Sequence, residues 1–123
     1  MTGVQTCALP IYDIARSLAT GKRERNAPGI RSICDGLLTE EMGDTTYEIV
    51  KQRVERVAVM SDDAVRRAMK FAFQRLKIVL EPSGAISLAA ALEGGVDLKG
   101  KTVAIVASGG NVDIETFTKA LAS

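Results

Sequence analysis

The sequence predicts an α/β fold, because short apolar runs alternate with segments of helical periodicity. Residues 57–60 form one strand-like run, and residues 102–107 form a second that is apolar along most of its length, as in buried parallel strands. Between them, residues 65–76 carry apolar side chains at helical spacing. Two strands are too few for a self-sufficient parallel sheet. We therefore expect an incomplete parallel sheet with flanking helices that forms part of a larger domain.

The amino-acid composition argues against some classes of binding partner and favours one cellular compartment. The chain has 123 residues and a net charge of +1, so no basic surface is available for nucleic acid or an anionic membrane. No apolar run approaches the roughly 18 residues that a membrane helix needs. There is no histidine, which removes the commonest general base and metal ligand. The two cysteines lie far apart and form no zinc or redox pair, which favours a reducing, cytoplasmic setting.

The first eleven residues, MTGVQTCALPI, resemble the translation of a common sequencing-library adapter read from a GTG start codon. A short signal peptide is the alternative, but the segment lacks a basic start and its apolar core is too short. We interpret residues 1–11 as an adapter-derived, non-native segment, and we leave it out of the fold prediction. Cys34 is then the one native cysteine, and the native part, 12–123, is expected to begin inside a longer protein.

Residues 12–123 contain several sequence signals for the starts of helices. Thr45 and Glu48 fit a capping box at one helix start, and Ser61 is a candidate N-cap for the next. Residues 31–38 are predicted to be irregular or a brief strand. The predicted helices cover residues 13–19, 45–54, 65–76, 85–92 and 113–121.

The turn at residues 108–111, Ser-Gly-Gly-Asn, is the first candidate site. Ligands bind at the carboxyl ends of strands in open α/β sheets, and the predicted strand 102–107 ends here. Gly109 and Gly110 allow close backbone approach, and the Ser108 hydroxyl can donate or accept a hydrogen bond. The structural alternative is a plain strand-to-helix turn in which Ser108 and Asn111 satisfy local amides. The pattern alone favours that alternative.

Two acidic residues are further candidates. Glu81 precedes Pro82-Ser83-Gly84 and could be a partly buried site carboxylate, although a helix start with Ser83 as cap explains the same residues. Asp13 could be a cation ligand, although an acid that stabilises a helix dipole is the commoner reason for such a residue. Cys34 has no nearby base, so a buried structural thiol is expected.

Several segments in order nevertheless resemble one family, the serine/threonine dehydratases (threonine ammonia-lyases), which include serine racemase. The resemblance covers residues 12–123, and its most specific elements are Glu81-Pro82-Ser83-Gly84-Ala85 and the motif Ser-Gly-Gly-Asn-Val-Asp at 108–113. The remaining matching residues are 13–18, 31–37, 59–63, 75–80 and 106–107. The family consists of pyridoxal-phosphate enzymes of the tryptophan-synthase-β-like fold (fold type II). It implies that residues 12–123 are the C-terminal part of such a catalytic domain.

The resemblance also implies roles for individual residues. Ser108 would hydrogen-bond the pyridine nitrogen of pyridoxal 5'-phosphate, with Gly109 beside it in the same turn. Gly36 would bring its backbone against the cofactor, and Glu81 would lie near the ring. Asp13 would match the acidic ligand of a divalent cation, Mg or Ca, that many members carry.

No residue of this chain is expected to be catalytic, because the lysine that holds the cofactor and the glycine-rich phosphate loop precede this region in the family. We expect an ammonia-lyase that converts a hydroxy amino acid to a 2-oxo acid and ammonia, with this portion inactive alone and the parent a homo-oligomer. The alternatives are a serine racemase-type isomerase, a non-catalytic α/β anion- or nucleotide-binding module, and a truncated fragment without function.

Overall fold

The computed structural model describes residues 3–8 and 12–123, without the side chains of residues 5, 7 and 8. Two strands pair in this part of the chain, β1 (Gly3–Ala8) and β2 (Val54–Met60). The α-helices are α1 (Asp13–Thr20), α2 (Asp44–Arg53), α3 (Asp62–Phe71), α4 (Pro82–Leu92) and α5 (Ile114–Ala122). A 3₁₀ turn covers Asp35–Leu37, and a π-helical turn, Ala72–Leu76, follows α3 directly.

The two strands form a parallel sheet, which confirms the predicted class of fold. The register runs from Val4 opposite Arg56 to Ala8 opposite Met60, with an irregularity between Gly3 and Val4. Strand β1 lies within residues 1–11, for which no secondary structure is predicted, so this strand is absent from the prediction. Its alternation of β-favouring residues such as Val4 and Thr6 suits a strand whatever its origin. The adapter origin of residues 1–11 stays a prediction, and residues 1, 2 and 9–11 lie outside the described part.

The predicted strand at residues 102–107 is wrong. The structure leaves this segment without regular secondary structure, and its residues are exposed, with Val106 at 76%. A β-rich segment becomes a strand only when a neighbouring strand satisfies its backbone groups. In the described part of the chain, β1 and β2 pair with each other and no strand pairs with 102–107.

Most helix predictions are confirmed. Ser61 caps α3, its hydroxyl accepting a hydrogen bond from the amide of Ala64 at 3.2 Å. Asp113 caps α5 in the same way, accepting from Thr116 at 2.8 Å. The capping box at Thr45 is wrong: α2 begins one residue earlier, with Gly43 as its N-cap and no side-chain cap.

The core lies where α4 packs against α3 on one side and against β1 and β2 on the other. Val65 and Met69 of α3 are fully buried, and they meet a helix whose alanines, such as Ala85 and Ala89, allow close approach. Nearly all residues of α4 are small or apolar, so the helix buries most of its surface against other parts of the chain. This packing fixes the N-terminus of α4, where the candidate site residues meet.

No helix within residues 3–8 and 12–123 is long and apolar enough to span a membrane.

Candidate functional site

The predicted cofactor-binding residues come together at the N-terminus of α4. Glu81 is the N-cap of this helix in extended conformation, and Pro82 follows at the first helical position, where proline needs no hydrogen-bonded amide. The turn containing Ser108 and Gly109 lies on one side of this helix end, and the turn containing Gly36 contacts it at Ser83. Three segments far apart in sequence therefore meet at one point.

Glu81 holds the Ser108 turn through its backbone and its side chain. The amide of Glu81 donates to the carbonyl oxygen of Gly109 at 3.1 Å, and its carboxylate oxygen Oε2 accepts from the amide of Asn111 at 3.1 Å. Gly109 has a φ of 76°, a conformation that favours glycine. A Cβ on Gly109 would also collide with the Glu81 carboxylate. The half-buried carboxylate therefore shapes the turn as well as flanking it.

Ser108 approaches the helix with its backbone and leaves its hydroxyl free. Its carbonyl oxygen lies where a Cβ on Gly84 would stand, so only glycine permits this contact. Within the described residues, the Ser108 hydroxyl makes no hydrogen bond, and Asp113 rather than Asn111 caps α5. The structural alternative for this turn, with Ser108 and Asn111 satisfying local amides, is therefore not what the structure shows. The free hydroxyl is exposed and available to a ligand.

Gly36 joins the site through Ser83. The amide of Gly36 donates to the Ser83 hydroxyl at 3.1 Å and to the Asp35 carboxylate at 2.8 Å. The alternative in which Ser83 caps its own helix is wrong, because Glu81 occupies the N-cap and Ser83 lies inside the first turn. Sequence reasoning also missed Ser83 as a site residue. Its position two residues after Glu81 was the available signal.

A cavity of about 370 Å³ extends from this point along α4. Ser83, Ser108 and Leu37 line it where the candidate residues meet. Farther on, its walls are aliphatic, including Ile86 and Val96. Concave, mostly apolar sites with a few convergent hydroxyls are typical of small-molecule binding.

Asp13 lies apart from this site, at the start of α1. Its side chain is 2% exposed, and its Oδ1 accepts from Nδ2 of Asn26 at 2.9 Å. Its second oxygen, Oδ2, is buried without a hydrogen-bond partner, and so is Oδ1 of Asn26. Within residues 3–8 and 12–123, no cluster of three histidine, cysteine or acidic side chains is arranged to hold a metal. Asp13 is therefore a buried carboxylate with an unused ligand atom.

Cys34 is fully buried, as expected for a structural thiol. Burial raises the pKa of its thiol to about 11, and the carboxylates of Asp62 and Asp35 add to this while a hydrogen bond with Ser32 opposes it. A thiol in this state is protonated at neutral pH and a poor nucleophile. Cys34 therefore contributes packing to the site region and no chemistry.

A fold with helices flanking a parallel sheet defines an α/β protein, and the free serine hydroxyl where a glycine turn meets a helix N-terminus marks a candidate small-molecule site. The sequence model of one protein family, the pyridoxal-phosphate dependent enzymes, matches residues 1–109 of the chain. The chain therefore belongs to this family.

Two curated proteins show which enzymes of the family the chain is similar to. The chain is 40% identical over 112 residues to a serine racemase of Dictyostelium discoideum, covering 89% of this chain and 34% of the relative. It is 37% identical over 117 residues to the L-threonine ammonia-lyase of Thermotoga maritima, covering 95% of this chain and 28% of the relative. The chain thus spans about a third of the length of these relatives.

Solved structures agree with the family and fold. A threonine deaminase from the organism abbreviated T.th. superposes with a TM-score of 0.86 at 35% identity, over 92% of this chain and 41% of that structure. Maize serine racemase superposes with a TM-score of 0.84 at 36% identity, over 97% of this chain and 37% of that structure. The predicted fold class, a partial domain of a fold type II pyridoxal-phosphate enzyme, is therefore confirmed.

Proposed function

We propose that this chain is the C-terminal portion of a pyridoxal-phosphate-dependent ammonia-lyase that converts serine or threonine to a 2-oxo acid and ammonia. The observation that carries the proposal is the meeting of Gly36, Glu81 and the Ser108 turn at the start of α4, beside a cavity. The similarity to an L-threonine ammonia-lyase supports the same reaction. Membership in an enzyme family favours this function over a non-catalytic anion- or nucleotide-binding module.

The residues present fit one wall of a site for pyridoxal 5'-phosphate. The unengaged hydroxyl of Ser108 lines the cavity and would donate to the pyridine nitrogen, while Gly109 lets the backbone turn away without a side chain. A neutral hydroxyl is a weak partner, so that nitrogen would stay largely unprotonated, unlike in folds where an acid holds it as a pyridinium. The cofactor supplies an electron sink for loss of the α-proton and the β-hydroxyl.

Glu81 and Gly36 have supporting roles in this proposal. Glu81 holds the turn by accepting from the Asn111 amide, and its carboxylate would lie near the ring. Gly36 presents backbone without a side chain, and Ser83 fixes its amide. The lysine that binds the cofactor and the phosphate loop would come from the two thirds of the relatives that this chain does not span. We therefore propose that the chain alone does not turn over substrate.

Asp13 is proposed as a ligand of a divalent cation such as Mg or Ca. The residues fit, because carboxylate and amide oxygens are the donors that these hard cations prefer, and one buried oxygen on each of Asp13 and Asn26 is unpaired. The remaining ligands would be waters or groups supplied by other parts of the parent. The parent is proposed to be a cytoplasmic homo-oligomer, and the buried thiol of Cys34 suits a reducing compartment.

A serine racemase is the second candidate, because a serine racemase is 40% identical to this chain over 112 residues. Both reactions begin with loss of the α-proton and share the residues visible here. The second acid-base group that separates them would lie outside this chain. The gene sequence upstream of residue 12 distinguishes the two.

A chimera tests the main proposal. The chain replaces the matching part of the Thermotoga maritima L-threonine ammonia-lyase, and ammonia release from threonine is measured with pyridoxal phosphate present. We expect release by the chimera and none by the isolated chain, which also develops no imine absorbance band. Ser108→Ala in the chimera should lower the rate about tenfold, the equivalent of one hydrogen bond of ~1.4 kcal/mol.

Ser123→Ala, at the far end of α5, is the matched control and should leave the rate unchanged. A folded chimera that releases no ammonia contradicts the proposal, and so does turnover by the isolated chain. Equal rates for the two serine variants would remove the role assigned to Ser108.

A further inference from the structure

The loop that carries Gly36 spans residues 27–38 and is held at few points. Asn26 closes its base, with its amide and its side chain donating at 2.7 and 3.0 Å to carbonyls that directly follow the loop. Among the described residues, the loop hydrogen-bonds to helices at two places, Asp62 of α3 and Ser83 of α4. Ser83 belongs to the candidate site, whereas Asp62 supports the loop from outside it.

Asp62 binds the loop with both oxygens of its carboxylate. Oδ1 accepts from the Ser32 hydroxyl at 2.6 Å, and Oδ2 accepts from the amide of Ile33 at 3.1 Å. The first distance is typical of a hydroxyl that donates to a charged carboxylate, a bond stronger than one between neutral groups. Asp62 is also the first residue of α3, where the helix dipole stabilises a negative charge. The carboxylate therefore holds the loop at two adjacent points.

These two bonds order the residues that lead into the Gly36 turn. The Ser32 oxygen also accepts from the amide of Cys34 at 3.1 Å, and Cys34 is fully buried. The carbonyl of Cys34 accepts from the amide of Leu37 at 3.0 Å, which closes the 3₁₀ turn around Gly36. A continuous series of hydrogen bonds therefore connects Asp62 to the turn that contains Gly36.

We propose that Asp62 is a positioning residue of the candidate site, because it holds the loop that presents the backbone of Gly36 to the cofactor. The inference rests on the proposed function, which assigns Gly36 to one wall of the cofactor site. Asp62 is not among the described residues that line the cavity, so the loop transmits its effect. The next residue, Asp63, is exposed and pairs with Arg66 at 2.6 Å, which makes it a control with the same chemistry.

Hydrogen exchange measured by NMR on the whole chain, without cofactor, tests whether Asp62 holds the loop. Asp62→Ala should speed exchange of the Cys34, Gly36 and Leu37 amides at least about fivefold, because the loop opens more often once both bonds are lost. Asp63→Ala removes a carboxylate from the same helix start and should leave these rates unchanged. Unchanged rates in Asp62→Ala, or equal effects of the two variants, overturn the proposal.

Ser32→Ala breaks part of the same contact from the loop side and leaves α3 intact. It should also speed exchange at Gly36. In the double variant with Asp62→Ala, the increase should be smaller than the product of the two single effects, because both changes act on one contact. Single effects that multiply fully would show that the two residues act independently, which contradicts the proposal.

The chimera with the Thermotoga maritima L-threonine ammonia-lyase tests the effect on the cofactor. The dissociation constant of pyridoxal phosphate, measured by titration of its absorbance band, should rise about tenfold in Asp62→Ala, the equivalent of one hydrogen bond. Asp63→Ala should leave this constant unchanged. At saturating cofactor, kcat for threonine should be retained in both variants, because no group at the reacting atoms has changed.

A purely structural role of Asp62 would lower Tm without changing the dissociation constant at temperatures below the unfolding transition. Equal dissociation constants with and without Asp62 therefore reject the positioning role alone. A lower kcat with an unchanged dissociation constant rejects it as well. A folded chimera that binds no pyridoxal phosphate even with Asp62 in place rejects the proposed function.

Discussion

The amide of Glu81 donates to the carbonyl of Gly109 at 3.1 Å, while the Glu81 carboxylate fills the space that a Cβ on Gly109 would need. One residue at the start of α4 thus fixes both the position and the identity of a residue in the opposite turn. The same carboxylate holds the amide of Asn111 at 3.1 Å. The turn that presents the Ser108 hydroxyl is therefore built on Glu81, and its geometry depends on this pair.

Gly109→Ala should lower the free energy of unfolding by about 1–3 kcal/mol, through a positive φ and a collision with Glu81. Gly29→Ala is the matched control, because Gly29 has a φ of 78° and open space where the Cβ would stand. Urea denaturation measures both. The difference between the two losses in free energy of unfolding measures the contact with Glu81. In a Glu81→Ala background, this difference should become smaller. Equal losses for Gly109→Ala and Gly29→Ala would show that the carboxylate does not constrain the turn.

Gly84→Ala should destabilise the chain although alanine is the better helix former by about 1 kcal/mol. The new methyl group would occupy the position of the Ser108 carbonyl oxygen, so the turn must move away from α4. We expect a net loss of ~1–3 kcal/mol in urea denaturation and faster amide exchange at Asn111. Leu92→Ala, at the exposed C-terminal end of the same helix, lies away from the turn and should leave Asn111 unchanged. A stabilised Gly84→Ala chain would contradict the contact.

Local signals explain which parts of the fold could be predicted. Ser61 and Asp113 cap helices through their own side chains, and those helix starts are readable from the sequence alone. The strand at 102–107 could not be predicted correctly, because strand formation depends on a neighbour that the described part of the chain does not supply. Thr45 failed as a cap because Gly43 and Asp44 begin α2 earlier.

The candidate site also combines features that the sequence predicts with contacts that depend on the tertiary structure. The residue pattern alone makes Glu81 and the turn at 108–111 candidates, and only the family resemblance predicts a cofactor-binding role for Glu81, Ser108 and Gly109. Their meeting point, and the use of Ser83 by the amide of Gly36, are tertiary contacts between residues 47 positions apart. No periodicity or composition encodes such a contact.

Stability should fall at alkaline pH through Cys34. Its thiol has a pKa of about 11 in the folded chain, above the ordinary value of 9.0 expected on unfolding, because burial disfavours the thiolate. The stabilisation from the neutral thiol is therefore complete below about pH 9 and is lost as the pH rises towards 11. Cys34→Ala should lack this part of the alkaline loss in urea denaturation between pH 8 and 11, compared in a Cys7→Ser background. Parallel pH profiles for the two chains would contradict it.

A divalent cation should stabilise the chain through Asp13. Its buried Oδ2 has no partner, so a bound cation would satisfy an oxygen that now lacks one. Binding to the folded state alone adds about 2.7 kcal/mol at a cation concentration a hundred times the Kd. Thermal unfolding with Mg, Ca or no added cation measures the effect as a rise in Tm.

Asp13→Asn should abolish that rise, because the amide keeps the shape of the side chain and removes its charge. Asp97→Asn is the control: it removes one carboxylate from the exposed loop before Lys99 and should leave the cation response intact. Asn26→Ala removes both the donor to Asp13 and an unpaired oxygen, and it should reduce the Tm rise. A Tm rise that persists in Asp13→Asn would locate the cation elsewhere and remove Asp13 from its ligands.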